Sequence, residues 1–469
     1  MRFRVLLISA AFACLGRCLV AQTALPGPER ALARNILQQL VEIVTTDSAG
    51  NTPAAAQAMA ARLIDAGFPP DDVRQLNLNP RVGTLVARLR GVNPHLRPIL
   101  LIAHLDVVSA RREDWSVDPW TLVERDGWFY GRGVHDDKGG VAMLIATLIR
   151  LRREAWHPER DIIIALSGDE EETAARSLAW LLTDHRELVD AEFALNFDAG
   201  ALVQRAGRSL KFFIQTSEKT YADFGLEATD SGGHSSLPRP GNPINVVAGA
   251  LVRLANYPFP VRLDESSRLF LQRSARLESG QLAADLRAAS VPSRDTAALT
   301  RLLAYPSYAA RLRTTCVATR VEGGHANNAL PQHAHAVVNC RILPGDSASE
   351  VEATLRRLAG DSVTLAVIEP PVSAPPSPYS AAVTAPIERL VAEFWPGVPV
   401  IPDMDPAASD GLFARAAGIP TYGVQPQATD IDDPRDHGKD ERTGVESFYD
   451  ATQFCYRLVK LLAGGNQAR

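Results

Sequence analysis

Three short runs carry residues able to do chemistry. His104-Leu105-Asp106 closes an apolar stretch, residues 98–103, and Asp169-Glu170-Glu171-Glu172 follows another, residues 161–166. Between them, residues 130–140 read Tyr-Gly-Arg-Gly-Val-His-Asp-Asp-Lys-Gly-Gly. Apolar strands ending in polar residues, with an Asp-bearing loop between them, place a site at the carboxyl edge of an α/β sheet. Asp198 ends a further apolar run, and His437 lies far downstream in Asp436-His437-Gly438-Lys439-Asp440-Glu441. His104, Asp136, Glu171, Asp198 and His437 form a ligand set of histidines and carboxylates without cysteine. Such a set suits zinc, or alternatively manganese or cobalt. Five ligands exceed what one catalytic zinc with an open position needs, but they serve two ions if one carboxylate bridges. Asp136 is placed to bridge, because its glycine-flanked loop lets backbone approach closely. Asp106, two residues beyond His104, is placed to accept the other ring N–H of that histidine. Taken singly, each residue has an ordinary reading: acids offsetting a helix dipole at residues 170–172, or turn residues at Asp136 and Asp137. The conjunction, several elements of one sheet each ending in a ligand-type residue, argues for a site.

The elements that must position these residues follow from apolar spacing. Residues 28–45, 53–68, 138–153 and 173–183 space their apolar side chains helically, and residues 84–89, 98–103, 161–167 and 193–197 read as strands. This alternation predicts an α/β fold, a mostly parallel sheet flanked by helices. Near residue 207 the texture changes. A β-rich run at 210–229, a helix at 243–257, strands at 314–322 and 334–343, a helix at 348–358 and a strand at 362–368 give the order βαββαβ. That order belongs to a small inserted α+β, ferredoxin-like lid domain. A charged, mostly helical insert at 260–310 interrupts it. After a proline-rich stretch at 370–378 the βα texture returns, with helices at 381–394, 409–417 and 445–462 and a strand at 421–424. The expected organisation is therefore a catalytic domain in two parts, 22–206 and 370–469, with the lid at 207–369.

Residues 1–21 have a basic start, an apolar run and a small-residue ending at Ala21, the pattern of a secretory signal peptide. The run is shorter than the ~20 apolar residues a spanning helix needs, so the expected location is secreted or periplasmic, with no membrane association after cleavage. The remaining 448 residues carry 46 basic and 54 acidic side chains, a net charge of −8, which gives nucleic acid no basic surface. Cys316, Cys340 and Cys455 remain after cleavage, and the first two, on neighbouring strand-like runs, either pair or stay as buried thiols.

The set His104-x-Asp106, Gly131-Arg132-Gly133-x-x-Asp136-Asp137-Lys138-Gly139, Asp169-Glu170-Glu171, Asp198 and His437 resembles the di-zinc family of carboxypeptidases, dipeptidases, aminoacylases and succinyl-diaminopimelate desuccinylases. The likeness runs over nearly the whole mature chain. It implies that His104 and Asp198 complete one zinc site and Glu171 and His437 the other, with Asp136 bridging and Glu170 as general base. Two cations ~3.5–4 Å apart strongly lower the pKa of a shared water, and a neighbouring carboxylate can take its proton during attack on an amide carbonyl. Glu172 leaves a one-residue alternative, Glu171 as base and Glu172 as ligand, although Asp169 aligns with the family's Asp-Glu-Glu in the first register. The segment Ser231 to Pro238 resembles one whose histidine, here His234, stabilises an oxyanion, often from a partner subunit. Asn328 and Arg341 match an Asn and an Arg that grip the substrate's terminal carboxylate, for which a planar guanidinium is suited. His325, nearby, is a further candidate for substrate contact. Ser409-Asp410-Gly411 resembles a segment that approaches the same carboxylate through backbone N–H groups.

Three departures stand out. His135 precedes the bridging aspartate where a smaller or apolar residue is expected, Gly411 stands where Ala is usual, and the 260–310 insert is long. The resemblance implies a homodimer through the lid, whereas a long insert fits a monomer in which it replaces the partner; both stay open. The expected activity is hydrolysis of a peptide or amide bond next to a free carboxylate, by a carboxypeptidase or dipeptidase, on a peptide substrate. The alternative is an aminoacylase acting on an N-acyl amino acid. A catalytically inactive binding domain should have lost ligands or base, and none is lost.

Overall fold

The structure, a computed structural model, describes residues 23–171, 176–291 and 295–464. The signal-peptide reading of residues 1–21 and the register alternative through Glu172 lie outside the described residues. The chain divides into two compact units, one built from the described residues up to Gln215 with Pro378–Pro402 and those from Ser409 onward, the other from Thr216–Ser377 with Asp403–Ala408.

At the centre of the first unit, Ile162–Ser167, Ile99–His104, Phe193–Asn196 and Thr421–Gly423 lie side by side and parallel. Every residue of these strands is buried, as strands covered on both faces require. Register brings their carboxyl ends level: His104 stands opposite Ser167, and Ile102 opposite Asn196. The sheet is not parallel throughout. Gly83–Leu89 runs antiparallel to the central strands on one side, with Val73–Asn77 antiparallel to it in turn, and Arg208–Glu218 runs antiparallel on the other. The connection at residues 78–82 is too short for a crossover and can join only antiparallel neighbours.

One face of the sheet is covered by the helices Gly27–Glu42, Lys138–Arg153 and Val445–Ala463, whose Ile36, Leu40, Leu144, Leu148, Phe448 and Phe454 share a core with strand residues Leu101 and Ile164. The other face packs Leu100, Ile102 and Ile163 against Leu178 and Leu181 of Ser177–Asp184. Lys138–Arg153 is buried almost all round, consistent with its near-continuous apolar sequence. Asp137 caps it, accepting from the Gly140 N–H at 3.2 Å. A side chain at Gly140 would overlap that carboxylate.

In the second unit, four antiparallel strands lie in the order Thr315–Gly323, His333–Ile342, Thr220–Thr229, Thr364–Val367. The helices Pro243–Ala255 and Ala348–Ala359 pack with them around Phe224, Leu226, Val247, Val338 and Leu355, completing a βαββαβ arrangement. The described residues of the insert form four helices, Glu265–Ser274, Gly280–Ala289, Thr296–Leu303 and Pro306–Leu312. The β-rich run at 210–229, read as one stretch, is two strands that break at Lys219. That side chain is buried, and its ammonium donates to the Arg313 carbonyl at 2.7 Å and the Thr315 hydroxyl at 3.2 Å.

Cys316 and Cys340 stand opposite one another on adjacent strands and form a disulfide, while Cys455 is a buried free thiol. With a sequence separation of 24 residues, the cross-link is expected to contribute about 2–4 kcal/mol. The paired Cys316→Ser, Cys340→Ser variant should therefore show a lower urea midpoint for the second unit, while hydrogen exchange in the first unit stays unchanged.

Candidate metal centre

The level strand ends deliver His104, the 169–171 acids and Asp198 to one edge of the first unit, and two loops add Asp136 and His437. His104 is buried, and its Nδ1 lies 3.0 Å from the backbone carbonyl of Asp106, which can only accept. Nε2 therefore turns toward carboxylates, 3.0 Å from Asp136 Oδ1 and 3.4 Å from Asp198 Oδ1. On the far side of Asp136, His437 Nε2 lies 3.0 Å from both Asp136 Oδ2 and Glu171 Oε2. The two oxygens of Asp136 thus serve two different histidines.

Asp106 meets the His104 ring twice, with its backbone carbonyl 3.0 Å and its carboxylate 3.5 Å from Nδ1. The same carboxylate also accepts from the Glu170 and Glu171 N–H groups at 3.1 and 2.9 Å. Asp106 therefore pins the backbone of both glutamates as well as the histidine. Asp137, which sequence reading gave no separate role, bonds the His104 N–H at 3.3 Å in addition to capping its helix. Asn196 holds the Asp198 N–H through its side-chain oxygen at 3.2 Å.

In the Ser409–Gly411 segment the Gly411 N–H donates to the Ser409 hydroxyl at 3.2 Å, and that hydroxyl also receives the Asn196 amide at 3.1 Å. Tight packing explains the glycine, since a Cβ at 411 would press on Ser409, Arg415 and Thr421. Asp410 is buried and receives the Ser167 hydroxyl.

His234, Asn328 and Arg341 belong to the second unit. His234 and Asn328 are brought together: Gly233–His234 pairs with Ala329–Leu330, and the Ser235 N–H donates to the Asn328 carbonyl at 3.1 Å. Both residues are exposed. Arg341 lies on the four-stranded sheet with its guanidinium 4.7 Å from the centre of the Tyr221 ring. His325 is exposed in the turn before Asn328.

The electrostatics of the strand-end cluster call for positive charge. Burial alone would lower the His104 pKa, but the Asp198 charge and the hydrogen bonds His104 donates to the carboxylates of Asp106, Asp136 and Asp198 outweigh it and hold it well above the usual value. Hydrogen bonds that His437 donates to the Asp136 and Glu171 carboxylates lift it to about 10. Burial, then the Asp198 charge, holds Glu170 well above the carboxylate range, and burial lifts Asp198 itself to about 6. Among the described residues, Oε1 of Glu171 is buried without a hydrogen-bond partner. Two histidine nitrogens facing carboxylate oxygens, with an orphaned oxygen beside them, fit divalent cations. Two sets, His104 with Asp136 and Glu171, and His104 with Asp137 and Asp198, bring their ligand atoms within 4.8 Å of one another. A cleft of about 350 Å³ opens beside them between Thr46–Ser48 and Val107–Ser109, with Glu171 on its wall.

The chain matches the description "Peptidase family M20/M25/M40" over residues 100–461. It is 29% identical over 393 residues to Probable carboxypeptidase S-like 2 of Dictyostelium discoideum, covering 80% of this chain and 74% of that protein. It is 30% identical over 384 residues to the human N-fatty-acyl-amino acid synthase/hydrolase PM20D1, covering 79% and 75%. The M20 family metallo-carboxypeptidase Sso-CP2 from Sulfolobus solfataricus shares the fold, with a TM-score of 0.69 at 16% identity over 92% of this chain and 99% of that one.

Burial lifts the Asp410 carboxyl to about 8, against the opposing Ser167 hydrogen bond. Its pKa in the unfolded chain is about 4, so the folded state binds the extra proton between these values. This contribution to stability is complete below pH 4 and is lost as pH rises through 8. Urea midpoints of the metal-free protein should fall across that window, and Asp410→Asn should flatten the fall.

Proposed function

Because the chain belongs to peptidase family M20/M25/M40 and is a metal-dependent hydrolase of carboxypeptidase or dipeptidase type, we propose that it cleaves a peptide or amide bond next to a free carboxylate. The observation that carries this reading is the Asp136 carboxylate, whose oxygens stand 3.0 Å from His104 on one side and 3.0 Å from His437 on the other. In this reading His104 and Asp198 would hold one zinc ion and His437 and Glu171 a second, with Asp136 shared between them, and cobalt or manganese could take their place. When bound, such ions polarise the scissile carbonyl and lower the pKa of water.

Glu170 serves as the general base. Asp106 pins its backbone, and its carboxyl feels the charges of Asp198 and His104. It takes a proton as a water oxygen bonds to the carbonyl carbon, and releases it to the departing nitrogen as the C–N bond breaks. Arg341 and Asn328 grip the substrate's free carboxylate, and His234 donates to the oxyanion.

A second reading, removal of an acyl group from an amino acid, is favoured by the 30% identity to the human N-fatty-acyl-amino acid synthase/hydrolase. The same residues serve it, and only the group beyond the scissile carbonyl differs. Export to the periplasm or the exterior belongs to the same proposal, supported by the charge and apolar pattern of residues 1–21 and by a disulfide suited to an oxidising compartment. So does a homodimer through the second unit, whose edge strand Thr315–Gly323 exposes Val317 and Val321 and offers backbone for pairing.

Peptides with free C-termini should be hydrolysed and their C-terminal amides spared. Chelation should abolish turnover and zinc restore it. Glu170→Ala should lower kcat by roughly 10²–10⁴-fold with cation binding retained. Preference for N-acyl amino acids over peptides in the same panel would select the second reading.

A further inference from the structure

Asp136 and His437 come from loops about three hundred residues apart, and a reciprocal contact ties those loops together. Arg132 lies four residues before Asp136, and Glu441 four residues after His437. Both are buried, with 2% and 0% of their surface exposed. The Arg132 guanidinium donates to Glu441 Oε2 at 2.8 Å. Each side chain then holds the other loop's backbone. Glu441 accepts from the N–H groups of Gly133 at 3.0 Å, His135 at 3.0 Å and Asp136 at 3.2 Å. Arg132 donates to the carbonyls of Gly438 at 2.9 Å and His437 at 3.4 Å. A further cross-link runs from His135 Nδ1 to Asp436 Oδ1 at 3.0 Å, which accounts for the polar residue before Asp136.

The His437 backbone needs such support. Its φ is +61°, and that of Asp440 is +53°, a left-handed conformation that non-glycine residues keep only where their surroundings impose it. His104 and Asp198, by contrast, follow adjoining sheet strands and are held by Asp137 and Asn196. A buried ion pair is weak evidence for stability, because apolar replacements of both partners are often neutral or better. Its value here lies in where it reaches.

We propose that Arg132 and Glu441 are positioning residues that set the distance between Asp136 and His437, and through it the affinity for the cation held by His437, Glu171 and Asp136. This rests on the two-cation reading above.

The test is a cobalt titration of the full metal-free chain, followed by visible absorption and calorimetry, with circular dichroism reporting the fold. Four proteins are compared: the unaltered chain, Arg132→Lys, Glu441→Gln, and the double variant Arg132→Met, Glu441→Leu. The unaltered chain should take up two cobalt ions in distinguishable steps. Arg132→Lys keeps the charge but loses the fork, and the double variant removes both charges so that neither is left buried alone. Each variant should weaken one of the two steps by about 10–100-fold and leave the other unchanged, the usual effect of losing groups that orient the ligands of one ion. Wild-type affinity at both steps in the folded variants would overturn the proposal. Equal weakening of both steps, or unfolding of all three variants, would overturn it in favour of a purely structural pair. If the unaltered chain failed to bind two ions, the two-cation reading itself would fall instead.

Discussion

Acids gathered in a poorly solvated place repel one another, and the candidate centre is organised around that repulsion. Asp106, Asp136, Asp137, Asp169, Glu170, Glu171, Asp198, Asp410 and Glu441 all lie at or near the carboxyl ends of the central strands. Like charges at these separations, away from water, cannot all ionise without compensation. The structure resolves this for most of these acids in one of two ways.

One group is satisfied by backbone donors. Asp106 takes two N–H groups, Asp137 two, Glu441 three, and Asp169 that of Ser177. These acids act as rivets, joining strand ends, a helix start and two loops. Asp136, Glu171 and Asp198 instead face the nitrogens of His104 and His437. Charge compensation for this second group must come from protons or cations, which is why geometry and chemistry point to the same place.

The supporting fold is conservative by comparison. Four dry parallel strands between helical layers set a level edge. Asp137 links the layers, since one carboxylate both starts the most buried helix and fixes the backbone of His104. The residues read from sequence as substrate contacts, His234, Asn328 and Arg341, stand on a unit with its own core and its own disulfide.

Much of this was legible in the sequence, for local reasons. Apolar runs of strand length ending in His or Asp, a glycine loop with paired aspartates, and helical spacing at 138–153 and 381–394 are patterns over a few residues, governed by φ/ψ preference and burial. They sufficed to single out His104, Asp136 and Asp198 and the alternation of elements, whereas the ligand roles of Glu171 and His437 came from the family resemblance. What only the tertiary structure decided was the partner of each polar group. The Asp106 carboxylate took two N–H groups besides facing the imidazole, the Gly411 N–H met the Ser409 hydroxyl, the strand-like run broke at Lys219, and Glu441 reached back some three hundred residues to the loop of Asp136. Hydrogen-bond choice depends on differences of a few tenths of an ångström between groups distant along the chain, and no local spacing records them.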